Sequence, residues 1–224
     1  MKRNLPVLIA SAIVLAILIS LGNWQVRRLA EKEAYLAELG AMISAEAVGL
    51  PGQARPEDHQ FLAVRAEGRF TGAPLRFLVS TRDAGAGYRF VQAFETEGRR
   101  VMVDRGFIPT GRKDMTVPEN AATVTGNLHW PNERDSYTPE NDREENIWYA
   151  REVPVMAEAL GAEPLLIIAR ETTPPQDGIA PLPVDTSGIP NRHLEYIITW
   201  YGLALTWMIM TAYFLRRRAR TSQP

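Results

Sequence analysis

The sequence predicts a membrane α+β protein: two transmembrane helices flanking a β-rich domain, a small antiparallel barrel or sandwich with one short helix. Three observations carry this. Uncharged apolar runs stand at 5–21 and at 196–215. Each is close to the roughly 20 residues a helix needs to cross a hydrocarbon core. The roughly 170 residues between them have the mixed composition of a soluble domain, enough for one core. Short alternating stretches separated by turn residues fill that middle part, the pattern of strands rather than of helices.

In order, the chain reads as a cytoplasmic tail at 1–4, a first transmembrane helix at 5–24 and a membrane-proximal helix at 25–48. A linker at 49–60 leads into a β-rich extracytoplasmic domain at 61–172. A Pro/Gly-rich return segment at 173–192, a second transmembrane helix at 193–215 and a basic cytoplasmic tail at 216–224 complete it. The first span has a basic start, but its apolar stretch exceeds a signal-peptide core and no A-x-A-like site follows it, so a retained anchor is expected. Its helical pattern continues outward through Leu29, Leu36 and Leu39, with Arg27 and Arg28 able to pair with Glu31 at helical spacing. Strands are expected at 61–70, 75–82, 88–95, 100–108, 123–130, 147–151 and 165–170. Thr96-Glu97-Gly98 marks a hairpin between the third and fourth of these. Pro154 and Gly161 bracket the short helix. The stretch at 131–146 is polar and charged throughout and reads as a solvated loop.

Charge sets the orientation. Lys2, Arg3, Arg216, Arg217, Arg218 and Arg220 flank the spans, which places both termini in the cytoplasm and the main domain on the opposite side of the membrane. Arg27, Arg28 and Lys32 lie on the other side but are interleaved with Glu31 and Glu33, and long loops translocate largely regardless of charge. The six tail cations account for six of the 25 basic residues, so residues 4–215 hold 19 against 26 acidic. A mildly acidic domain has no electrostatic footprint for nucleic acid. The partner in view is the lipid bilayer. The chain has no cysteine, which removes disulfides, thiolate metal sites and covalent c-type haem attachment, and disfavours a copper chaperone.

Candidate chemistry is sparse. No G-x-S-x-G, H-E-x-x-H or phosphate-cradling glycine loop is present, and nothing pairs the carboxylates. The chain does not read as an enzyme. His59 and His129 read as structural. His193 is different: it stands at the start of the second span, with Tyr196, Trp200 and Tyr201 following and Trp24 closing the first span on the same side. Neutral imidazole is a metal ligand and the usual proximal ligand of haem iron. A helix carried back to His193 puts Trp200 about 10 Å further along one face, within the span of one macrocycle. Trp and Tyr also gather at membrane interfaces for lipid reasons alone. From the spacing, an aromatic belt with one incidental histidine stands beside a haem or metal ligand.

The same residues fall into a recognisable series of blocks. Leu21-Gly22-Asn23-Trp24-Gln25-Val26-Arg27-Arg28 with Lys32 is similar to L-G-x-W-Q-x-x-R-x-x-x-K, and Gly68-Arg69-Phe70 and Gly85-Ala86-Gly87-Tyr88 follow. Val103-Asp104-Arg105-Gly106-Phe107-Ile108-Pro109 is similar to V-N-R-G-W-V-P, with Asp104 and Phe107 in place of Asn and Trp. Trp148-Tyr149, Asn191-Arg192-His193-Leu194-Glu195-Tyr196 and Thr199-Trp200-Tyr201-Gly202 close the series. In this order, over nearly the whole chain, the blocks resemble the Surfeit locus protein family, assembly factors of cytochrome c oxidase. The resemblance implies an inner-membrane protein that binds haem a transiently and assists its insertion into the core subunit of cytochrome c oxidase, with haem a synthase as a further partner. It implies His193 as axial ligand of the haem iron and Trp200 lining the ring. Trp24 and Tyr196 are further candidates beside the ring. Arg27 and Arg105 are candidates for pairing with haem propionates, since guanidinium matches carboxylate. The rival expectation is a membrane-anchored scaffold that stabilises oxidase intermediates and binds no cofactor.

Overall fold

A computed structural model describes residues 4–81, 85–112 and 115–220. Lys2 and Arg3 of the first tail, and Arg82 at the end of the expected strand 75–82, lie outside the described residues. The chain divides into two compact units, Met1–Glu38 with Thr186–Pro224, and Leu39–Asp185.

The first unit is a pair of helices. Helix α1 covers Leu5–Ser44 and α4 covers His193–Arg220. Both are long and apolar enough to cross a membrane, and only 6% of each apolar window is buried. A core helix of a soluble protein would be mostly covered. At 1.5 Å per residue α1 is about 60 Å long, twice a hydrocarbon core, so its apolar first half suffices for the crossing. The buried and half-buried positions form a seam: Leu18, Gly22, Gln25, Leu29 and Lys32 on α1, and Ile197, Trp200, Ala204, Trp207 and Thr211 on α4. Alternating steps of three and four residues are the signature of helices packed nearly parallel to one another's axes. Within the apolar stretch, Trp207 Nε1 donates to Ser11 Oγ at 2.9 Å, and Ser11 Oγ lies 2.8 Å from Thr211 Oγ1. In hydrocarbon such hydroxyls seek partners on the neighbouring helix.

The second unit is β-rich. After a four-residue helix α2 (Pro56–His59) come strands β1 (Ala63–Thr81), β2 (Gly85–Thr96), β3 (Arg99–Pro109), β4 (Ala121–Leu128) and β5 (Ile147–Trp148). Helix α3 (Val153–Leu160) and strand β6 (Leu166–Thr173) follow. They form one curled mixed sheet in the order β2-β3-β6-β4-β1-β5, with β1 also pairing β2. The β-rich domain and its short helix are therefore present, but the sheet is neither a two-layer sandwich nor a regular antiparallel barrel: β3 with β6 and β1 with β5 run parallel.

The expected strands 61–70 and 75–82 merge into the single long β1, whose register against β2 shifts between Thr71 and Leu75. Its first half pairs β4 and its second half β2, so one strand turns the sheet's corner. Strand β5 is shorter than the expected 147–151. The β2–β3 hairpin closes as foreseen: Glu97 and Gly98 both have positive φ, 50° and 75°, as a tight two-residue turn of primed type requires. Strand β3 is buried on both faces. Val101 and Val103 join Phe70, Phe94, Val124 and Ile167, while Met102 joins Val91, Leu166, Ile168 and Met156 of α3. Helix α3 ends on Gly161 in the left-handed conformation, as its sequence signals propose.

Candidate functional site

The six site candidates fall into the two units: His193, Tyr196, Trp200, Trp24 and Arg27 in the helical one, Arg105 in the β-rich one. His193 is the first residue of α4, and its Nδ1 lies 2.7 Å from Oε1 of Gln25 on α1. An amide oxygen only accepts, so Nδ1 is the donor in this bond, and in a neutral ring the Nε2 lone pair is then the one available to a ligand. Gln25 is buried at 7% exposure, while the His193 ring is half-exposed. A buried acceptor that fixes the tautomer and aim of an accessible imidazole is the support seen behind metal-ligating histidines.

The surrounding residues hold this arrangement. Gly22 lies under the Tyr201 ring, where a Cβ would come within 2.9 Å of the ring carbons. Tyr201 in turn donates its hydroxyl to Asn23 Oδ1 at 2.6 Å. Gly22, Asn23 and Gln25 thus each meet a residue of α4, which gives the sequence block around Trp24 its structural meaning. Sequence reasoning reads Gln25, within Trp24-Gln25-x-Arg27, as structural or partner-facing and does not count it among the site residues. Its place beside Trp24 in the block was the available signal, but its partner is 168 residues away.

Tyr196 and Trp200 follow His193 by three and seven residues, on one face of α4. Trp200 Nε1 is shielded from solvent and has no acceptor among the described residues. Trp24 and Tyr196 are about half exposed, and Arg27 is exposed one turn from Trp24. Among the described residues no three His, Cys, Asp or Glu converge on a point where a metal ion would sit. A bare ion requires several protein ligands, whereas a haem iron already has four ring nitrogens and needs one axial imidazole. The donor set, one imidazole with an indole about 10 Å further along the same helix, matches the second requirement.

Arg105 belongs to the β-rich unit. Asp104 pairs with Val91 and Gly106 with Phe90, so Arg105 is the extra residue of a β-bulge. Gly106 has φ 121°, and a Cβ there would meet the Ala180 carbonyl oxygen at 2.2 Å. Only glycine lets the return segment close on β3, where Phe107 N–H donates to Ala180 O at 2.7 Å and Ala180 N–H to Phe107 O at 2.9 Å. Arg105 is 1% exposed and stands 4.0 Å over the Phe70 ring. It donates Nε to Gln176 Oε1 at 2.7 Å and Nη1 to Gln92 Oε1 and to Pro118 O. Burial pushes its pKa down to about 10, which leaves it charged at neutral pH.

The adjacent Asp104 is fully enclosed. Its Oδ2 accepts from Arg151 Nη1 at 3.0 Å and lies 2.8 Å from Arg89 Nε. Arg151 also pairs with Glu133, so two guanidinium groups meet two carboxylates. Burial lowers the Arg89 pKa, against the opposing pull of Asp104. His129, on the strand side of this cluster, accepts from Gln60 and is held neutral by burial and by Arg151, with its pKa lowered to about 4.

The SURF1 family model matches residues 12–205. The SURF1-like protein of Rickettsia felis is 32% identical over 231 residues, covering 97% of this chain and 98% of its own. Surfeit locus protein 1 of mouse is 30% identical, covering 88% and 72%, and that of human 30%, covering 88% and 73%. The match takes in the Gly22–Gln25 block, the Arg105 bulge and His193: the chain belongs to the SURF1 family.

Proposed function

We propose that the protein binds haem a through His193 Nε2 and assists insertion of the cofactor into the core subunit of cytochrome c oxidase, catalysing no reaction itself. SURF1 proteins form a family of cytochrome oxidase assembly factors, and this chain is one of them. The observation that carries the finer reading is the Gln25–His193 hydrogen bond, which presents the second ring nitrogen as a ligand. When bound, haem would supply an iron that takes an imidazole nitrogen. The chain's own residues would do the rest: Gln25 orienting the imidazole, Trp200 lining the ring, and Trp24 and Tyr196 providing apolar cover. Arg27, an exposed guanidinium one turn from Trp24, is the group assigned to a propionate in this reading. A single protein ligand suits transfer, because a site that must release its cargo is better served by one bond than by two.

In the same reading both tails are cytoplasmic, the β-rich unit faces the periplasm and the site lies at the outer boundary of the inner membrane. The basic end of α4 supports this orientation. Core subunit and haem a synthase are the partners it calls for. The full chain, expressed with haem a synthesis and purified, is expected to show a Soret band that His193→Ala removes. A chain purified without any Soret band would favour the cofactor-free scaffold instead.

A further inference from the structure

A cavity of about 240 Å³ opens in the β-rich unit between the Arg105 bulge and the start of the return segment. Arg105, Arg170, Thr172, Thr173 and Gln176 line it. This volume is many times what one water requires. Two of these lining residues each hold an enclosed and unused donor: Arg105 Nη2 and Gln176 Nε2 have no acceptor among the described residues. Their neighbouring atoms are committed to each other, since Arg105 Nε donates to Gln176 Oε1. The exposed Glu171 is also in the wall but makes no ion pair with Arg105 or Arg170. A guanidinium 1% exposed, charged and without a counter-carboxylate is unfavourable as a packing element. An apolar side chain would cover Phe70 equally well. A charge retained in such a place points to a charge that it receives.

We propose that this cavity is an oxyanion-binding site, in which Arg105 Nη2 and Gln176 Nε2 donate to the oxygens of a carboxylate or phosphate group. The bulge supplies the aim, because the extra residue in β3 turns its side chain out of the strand's alternation. The return segment supplies the second donor, and the Phe107–Ala180 hydrogen bonds hold that segment in place. The site is built wholly from the β-rich unit, so it stands or falls independently of haem binding at His193.

The test is thermal unfolding of the full chain in detergent, with sodium acetate or sodium phosphate against sodium chloride at equal ionic strength. A hundredfold excess over the dissociation constant raises the midpoint by about 5 °C. The larger response, acetate or phosphate, identifies the class of anion. Gln176→Glu keeps the acceptor for Arg105 Nε and places a tethered carboxylate beside the orphaned guanidinium. It is expected to unfold no lower than wild type in chloride and to lose the anion-specific rise. In Gln176→Met, calorimetric affinity for the better anion falls about tenfold or more. No anion-specific rise in wild type, or the same rise in both variants, overturns the proposal.

Discussion

Asp104 and Arg105 are consecutive residues of one buried strand, and they meet opposite conditions. Asp104 has two guanidinium partners and a backbone donor, Gly106 N–H at 3.1 Å. Arg105 has neutral partners only, and one nitrogen is left over. The difference shows how a family block can carry two kinds of information. The Asp104 cluster is closed and electrically neutral, so its work is to bind β2, β3 and the chain before α3 into one unit. The Arg105 side borders a cavity and holds no carboxylate partner, so one buried donor is left unused. The helical unit has its own version of the contrast. Ser11, Trp207 and Thr211 satisfy one another, whereas Trp200 Nε1, two turns on from His193, is left without an acceptor among the described residues.

The largest expected effect comes from breaking the closed side. Asp104→Asn restores the residue typical of the family block but leaves Arg89 and Arg151 sharing only Glu133. Unfolding free energy is expected to fall by about 3–5 kcal/mol, read by denaturant unfolding. Arg105→Met, which keeps the cover over Phe70 and removes an uncompensated charge, is expected to lose far less. Equal losses at the two positions would erase the distinction drawn between them.

A smaller effect concerns acid. His129 has a folded pKa of about 4 against 6.5 unfolded, so between these values the unfolded chain binds more protons. Stability is full above pH 6.5 and declines as pH falls towards 4, by about 1–3 kcal/mol from this group. Glu133, held below its usual value chiefly by Arg151 against the opposing effect of burial, loses its contribution at lower pH still. His129→Gln flattens the upper part of that decline. An unchanged slope between pH 6.5 and 4.5 would assign it to other groups. The smallest expected change is Ser11→Ala, which removes the shared hydroxyl of the apolar seam and costs about 0.6 kcal/mol. Pairing of the two helices in a membrane, measured by energy transfer between labels, should weaken slightly and not vanish.

Much of this fold is legible in the sequence because its signals are local. The two long helices follow from apolar length, α3 from Pro154 and Gly161, and the hairpin from Glu97-Gly98. What could not be read is non-local. The merger of two expected strands into β1 depends on its pairing β4 with one half and β2 with the other. The parallel contact of β3 with β6 leaves no trace in strands buried on both faces, whose apolar runs do not alternate. The site divides the same way. His193 and Trp200 stand out by position and spacing, and Arg105 by its block. Gln25 and Gln176 do not, because each acquires its role only from a partner brought in by folding, 168 and 71 residues away.

The central claim is that Gln25 fixes the His193 ring so that Nε2 takes the haem iron. The most direct measurement is the reduced-minus-oxidised spectrum of wild type, Gln25→Leu and His193→Ala, each purified as the full chain from cells that make haem a. Wild type should retain haem, His193→Ala should retain none, and Gln25→Leu should keep the band position with about 10- to 100-fold weaker retention. Equal haem occupancy in all three would contradict the account.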